Sequence, residues 1–231
     1  MRSILSLTFW LLISNIIIGQ DECSLLVPEV RIMGINRTEV VLADVDTVVV
    51  PIVFHVVHTG AGEPNNISDE QIMSQVDVLN EEFADSKIQF CMASRDPEGN
   101  PTNGITRTDY SSNDEYMLDG ISNGSGSGAD QTQVKADAGC WNPSEYINYY
   151  VVTEINGNDG GWGIQGFAYL GPTGDCRDGV VCLYNVTGNV GTLKPGRELG
   201  LTGVHEMGYH LTLWHTFSNS NDCDETNCET Q

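Results

Sequence analysis

The stretch Thr47–His58, TVVVPIVFHVVH, constrains the fold more than any other part of the sequence. It is β-branched and almost continuously apolar. A strand with one wet face alternates apolar and polar residues, whereas an unbroken apolar run belongs to a strand covered on both faces, as in a parallel sheet flanked by helices. A helix is predicted directly after it. Ser68 and Gln71 have capping-box spacing, and Ile72, Val76, Leu79 and Phe83 recur four, three and four residues apart, one apolar stripe on a helix of about 17 residues. Further strands are expected at 88–93, 146–153, 164–170 and 178–184, and a last helix at 198–213. Residues 98–145 read as turn-rich, with Asn123–Gly128 (NGSGSG) a flexible loop. Strands interleaved with long helices predict an α/β layered domain. No internal repeat is present.

Composition narrows the function. The chain has 231 residues, 40% of them hydrophobic, enough for one sizeable domain with a real core. Ten basic residues stand against 32 acidic ones, a net charge of −22, and a field of that sign repels phosphate backbones. Nucleic acid is therefore excluded as a partner. Calcium or cationic partners suit the charge, and so does a plain solvated acidic surface.

Met1-Arg2, the apolar run Leu7–Ile18 and Gly19 have the layout of a secretory signal peptide. The run is shorter than the roughly 20 residues that span a bilayer, so no membrane association is expected after its removal. Residues 20–44 read as a lead-in or pro-segment, and 45–231 as the domain proper. Export makes disulfides the expected state of the cysteines, but the seven at 23, 91, 140, 176, 182, 223 and 228 are odd in number. Sequons occur at Asn36, Asn66, Asn123 and Asn185.

The last predicted helix carries His205-Glu-Met-Gly-Tyr-His-Leu-Thr-Leu-Trp-His215. This segment resembles the zinc helix of the metzincin metalloproteases, and specifically of the pappalysin family. The likeness extends over VPIVFHVVH, NISDEQIMSQVDVLNEEF, DPEGNPTNGITRT, IQGFAYLGP, DGVV and LWHTF, from about residue 48 to 217. It implies a metzincin-like upper subdomain: a twisted, mostly parallel sheet with a backing helix and a zinc-site helix. It also implies a secreted zinc endopeptidase acting on protein or peptide substrates.

The family signature is H-E-x-x-H-x-x-G-x-x-H. Histidines four apart lie roughly 40° apart around a helix and face one metal; a glycine then lets the chain turn so that a third histidine arrives from below. Matched by position, the resemblance makes His205 and His215 metal ligands and Glu206 the general base. The second-ligand position holds Tyr209, with His210 one place later, and Thr212 stands at the glycine position. Three outcomes stay open at this point: a Tyr209 phenolate ligand, His210 brought round by a π-type bulge, or a crippled zinc site.

The resemblance also assigns Ile164, Gly166 and Ala168 to an edge strand that pairs with extended substrate, although a plain sheet strand fits the same letters. Asp222-Cys-Asp-Glu225 resembles a calcium-binding stretch of the family, and a solvated tail fits equally. No methionine follows His215 in this sequence, so the floor-forming methionine turn of metzincins and most of the lower subdomain are expected to be missing. On this reading the chain is either an active peptidase, an inactive relative or a fragment. Cys223 or Cys228 is the expected odd cysteine.

Overall fold

The computed structural model describes residues 47–215. The expected signal peptide and lead-in, Cys23, Cys223, Cys228 and the Asp222–Glu225 stretch lie outside the described residues. The elements are β1 (Val48–His58), α1 (Asp69–Glu82), β2 (Ile88–Met92), β3 (Ile105–Asp109), α2 (Asp114–Asp119), α3 (Gln131–Asp137), β4 (Ile147–Val152), β5 (Gly166–Ala168), β6 (Val180–Leu183) and α4 (Leu201–His210). The sheet runs β2-β1-β4-β6-β5. Every pairing is parallel except that of β5 with β6.

The long β1 is the spine. Its first half pairs with β2 and its second half with β3 along one side, while β4 lines the other. Ile52–Val57 are all fully buried and have no wet face, whereas Val48 is exposed and Val49–Pro51 are partly so. Alternation in β4 assigns the two layers. Tyr149 stacks on Phe54 and turns its hydroxyl toward Gly203 of α4, whereas Tyr150 stacks on His55 and faces Lys135 of α3. Helices α1 and α4 therefore cover one face of the sheet and α3 meets the other.

α1 begins as expected, with the Ser68 hydroxyl accepting from the Gln71 amide. Only that half of the capping box forms. The Gln71 side chain instead donates to the Tyr184 and Thr187 carbonyls and accepts from the Thr192 amide, tying the helix start to the segment that leads into α4. The turn-rich reading of 98–145 is corrected: β3, α2 and α3 all lie there. These elements are only five to seven residues long, too short to display a hydrophobic period. No helix among the described residues is long and apolar enough to cross a membrane.

His55 lies fully buried in β1, its ring nitrogens bonded to the Thr106 hydroxyl and the Asn148 side-chain oxygen. Burial lowers its pKa from 6.5 to about 4, against a smaller upward pull from Asn148. Between those values the unfolded chain takes up the proton and the folded chain does not, so stability is complete above pH 6.5 and falls as pH drops toward 4. The loss from this group is about 3 kcal/mol. Urea unfolding of the parent and of His55→Gln at pH 7 and pH 4.5 isolates it, since other titrations are common to both chains. The variant is expected to lose less stability on acidification; equal losses would show that His55 is not the acid-sensitive group.

Candidate metal centre

α4 lies close against the sheet because residue 203 is glycine. A β-carbon there would meet the Tyr149 hydroxyl and the Gln75 amide at 2.5 and 2.8 Å. Gln75 also fixes the helix start, donating to the Gly200 carbonyl and accepting from the Gly188 amide. The helix ends in a Schellman turn: the Thr212 amide bonds to the Tyr209 carbonyl and the Leu213 amide to the Gly208 carbonyl, both at 2.9 Å. Thr212 takes the left-handed position at φ 70°, strained for a β-branched residue. This turn sends the chain back beneath the helix to His215.

Three rings converge there. His205 and His215 have centroids 4.9 Å apart, and Tyr209 lies 5.4 Å from the first and 4.7 Å from the second. The Nε2 atoms of His205 and His215 face each other at 3.0 Å. Two nitrogens bound tetrahedrally to one zinc stand about 3.3 Å apart, so the pair fits a metal after opening by a few tenths of an ångström. The Tyr209 hydroxyl sits 2.7 Å from Nδ1 of His215, the ring nitrogen away from that shared point. In this arrangement the hydroxyl holds the His215 imidazole from its far side. Among the described residues no group of three His, Cys, Asp or Glu side chains could hold a metal ion. The donor set thus fits a metal at two of three protein positions.

His210 is turned to another side, with Nδ1 3.6 Å from Oδ1 of Asp178. The helix runs regularly through this turn, without the π-type bulge that would bring His210 round. Both of those atoms are buried without a hydrogen-bond partner. Burial lowers the His210 pKa, Asp178 raises it and Lys135 lowers it further.

Glu206 is buried beside His205. Burial raises its pKa from 4.5 to about 7, opposed by a hydrogen bond from the Ala168 amide of β5. Gly166 packs against it: a β-carbon there would come within 2.9 Å of the Glu206 Cγ and the Val181 carbonyl oxygen. Glu206 and His205 thus lie in a cleft of about 410 Å³ between α4, Gln165-Gly166 and the turn at 196–199. β5 is the terminal strand of the sheet, and its first residue, Gly166, lines this cleft. Gly166 and Ala168 lie in β5, and Ile164 precedes it, its carbonyl accepting from Asn158 at 2.6 Å.

Two features escaped the sequence reading. Lys135 is fully buried, donates to the Arg177 carbonyl at 2.8 Å and lies over the rings of Tyr150, Phe167 and Tyr169. Burial lowers its pKa to about 7 although Asp178 and Asp175 pull upward. A single lysine on a short helix gives no sequence signal for this. The pairing of the cysteines among the described residues was likewise not legible in the sequence. Cys140 pairs with Cys176, Cys91 is disulfide-bonded, and Cys182 is a free thiol buried in β6, its pKa pushed up by that burial.

Known proteins resemble the chain in both sequence and structure. A peptidase family model described as pregnancy-associated plasma protein-A matches residues 128–231. An extracellular metalloprotease of Colletotrichum graminicola is 29% identical over 183 residues, covering 79% of this chain and 56% of its own length. Another from Pyricularia oryzae is 30% identical, over 71% of this chain and 49% of its own. The chain spans about half the length of these curated relatives. Mature mirolysin of Tannerella forsythia, solved in complex with a cleaved peptide, superimposes with a TM-score of 0.60 at 30% identity, over 78% of this chain and 68% of that one.

Proposed function

Since the chain belongs to the pappalysin family, the peptidase family of pregnancy-associated plasma protein-A, we propose that it acts as a secreted zinc endopeptidase on peptide substrates. The observation that carries this reading is the meeting of His205 and His215 at their Nε2 atoms, with His205 and buried Glu206 also lining a cleft that reaches Gly166 of the edge strand. His205 and His215 would hold the metal, with Tyr209 keeping the His215 ring in place through Nδ1. When bound, zinc supplies a Lewis acid that polarises the scissile carbonyl and acidifies water.

Glu206 is the general base. It would take a proton from the attacking water and return it to the departing amine from its buried position beside His205. The backbone at Ile164, Gly166 and Ala168 would align an extended peptide by strand addition, with the Ala168 amide passing from Glu206 to the substrate. The Met1–Gly19 layout supports export.

The engagement of the Tyr209 hydroxyl on Nδ1 favours one other reading, a relative that binds peptides without cleaving them. Titrating the dialysed protein with zinc while following hydrolysis of an unfolded protein substrate separates the two. Hydrolysis that appears with zinc and is abolished by a chelator supports the peptidase. Peptide binding without hydrolysis at saturating zinc supports the non-catalytic relative.

A further inference from the structure

The basic residues of this acidic chain are mostly engaged. Among the described arginines, Arg107 pairs with Asp69, Arg177 with Asp175, and Arg95 donates to the Gly99 carbonyl. Lys135 is buried behind the sheet. Arg197 differs: it is exposed, and only its backbone is held, the amide donating to the Lys194 carbonyl. Its side chain has no ion pair or hydrogen bond among the described residues, although Glu198 is its neighbour. The Glu198 carboxylate turns back to accept from the Gly196 amide at 2.8 Å. Arg197 therefore lines the cleft together with His205 and Glu206 as a free guanidinium.

Beside it, Leu199 and Leu201 line the same cleft while 66% and 46% exposed, apolar surface that no part of the described fold covers. Resting on the peptidase reading above, we infer that Arg197 is a specificity-determining residue that selects peptides carrying an acidic side chain next to an apolar one. A guanidinium offers a carboxylate two parallel hydrogen bonds, a geometry no other side chain in the cleft provides. The net charge of −22 opposes this at long range but is screened beyond about 8 Å at physiological salt. The preference is thus a contact effect, and reversing the local charge reverses it.

The test uses capped ten-residue peptides that share an Ala-Leu background and carry Asp, Ala or Lys at one position, moved stepwise along the chain. Binding by fluorescence anisotropy and cleavage by mass spectrometry are measured at 0.15 M salt for the parent, Arg197→Ala and Arg197→Glu. An exposed pair of this kind is worth a preference of about fivefold for Asp over Ala at one position. Arg197→Ala is expected to erase it, and Arg197→Glu to replace it with a preference for Lys. An acidic preference that survives both substitutions, or none in the parent, overturns the inference. Cleavage without such a preference sinks the Arg197 assignment while the peptidase reading stands. Selective binding lost on substitution, without cleavage at saturating zinc, sinks the peptidase reading and leaves the assignment of Arg197 intact.

Discussion

Tyr209→His combined with His210→Tyr is expected to raise zinc affinity by about two orders of magnitude or more. Outer-shell changes alone alter metal affinity 10- to 100-fold, and this pair supplies a direct third donor. The regular helix of α4 places residue 209 one turn after His205, where Tyr209 already approaches both histidine rings. A histidine there is on the correct side. Residue 210 faces Asp178 and not the histidine pair, so the change there leaves the metal donors untouched. After dialysis the parent should retain well under one zinc per chain and the double variant close to one. A full equivalent in the parent would mean that two imidazoles and water suffice, and the third position would lose its importance.

Glu206→Gln, made in the zinc-replete double variant, is expected to lower kcat/KM by about a thousandfold, within the range seen when a positioned general base is removed. Glutamine keeps the volume and can still accept from the Ala168 amide, so zinc content and folding should not change. Burial beside β5 is what sets the base strength of this carboxylate, and the amide has no counterpart to it. Equal activity in parent and variant would remove Glu206 from the mechanism. Reduced activity with equally reduced zinc would assign it a structural part instead.

How much was legible depended on whether a feature is local. The run at 47–58 announced a strand with no wet face, and β1 is such a strand from Ile52 onward, paired on both sides, while its first four residues are exposed or partly so. Ser68 announced the start of α1, because a cap needs only its own first turn. The elements at 105–137 were missed because each is too short for its pattern to exceed the noise of its turns. Gln71 was half understood: its position spoke for a cap, while its amide serves a loop more than a hundred residues away.

At the candidate site, the sequence alone carried the family resemblance, because the spacing of His205, Glu206 and His215 is a matter of neighbours along the chain. It also determined that residue 209 departs from the pattern. Only the tertiary structure decided what Tyr209 does. A hydroxyl on a helix can reach any neighbour within a few ångströms, and the turn through Thr212 put Nδ1 of His215 within its reach. Only packing decided the state of Glu206 as well, because the closeness of β5 to α4 depends on Gly166 and Gly203 meeting partners far away in the chain. Helix period is a property of neighbours along the chain, whereas burial and hydrogen-bond partners belong to neighbours in space.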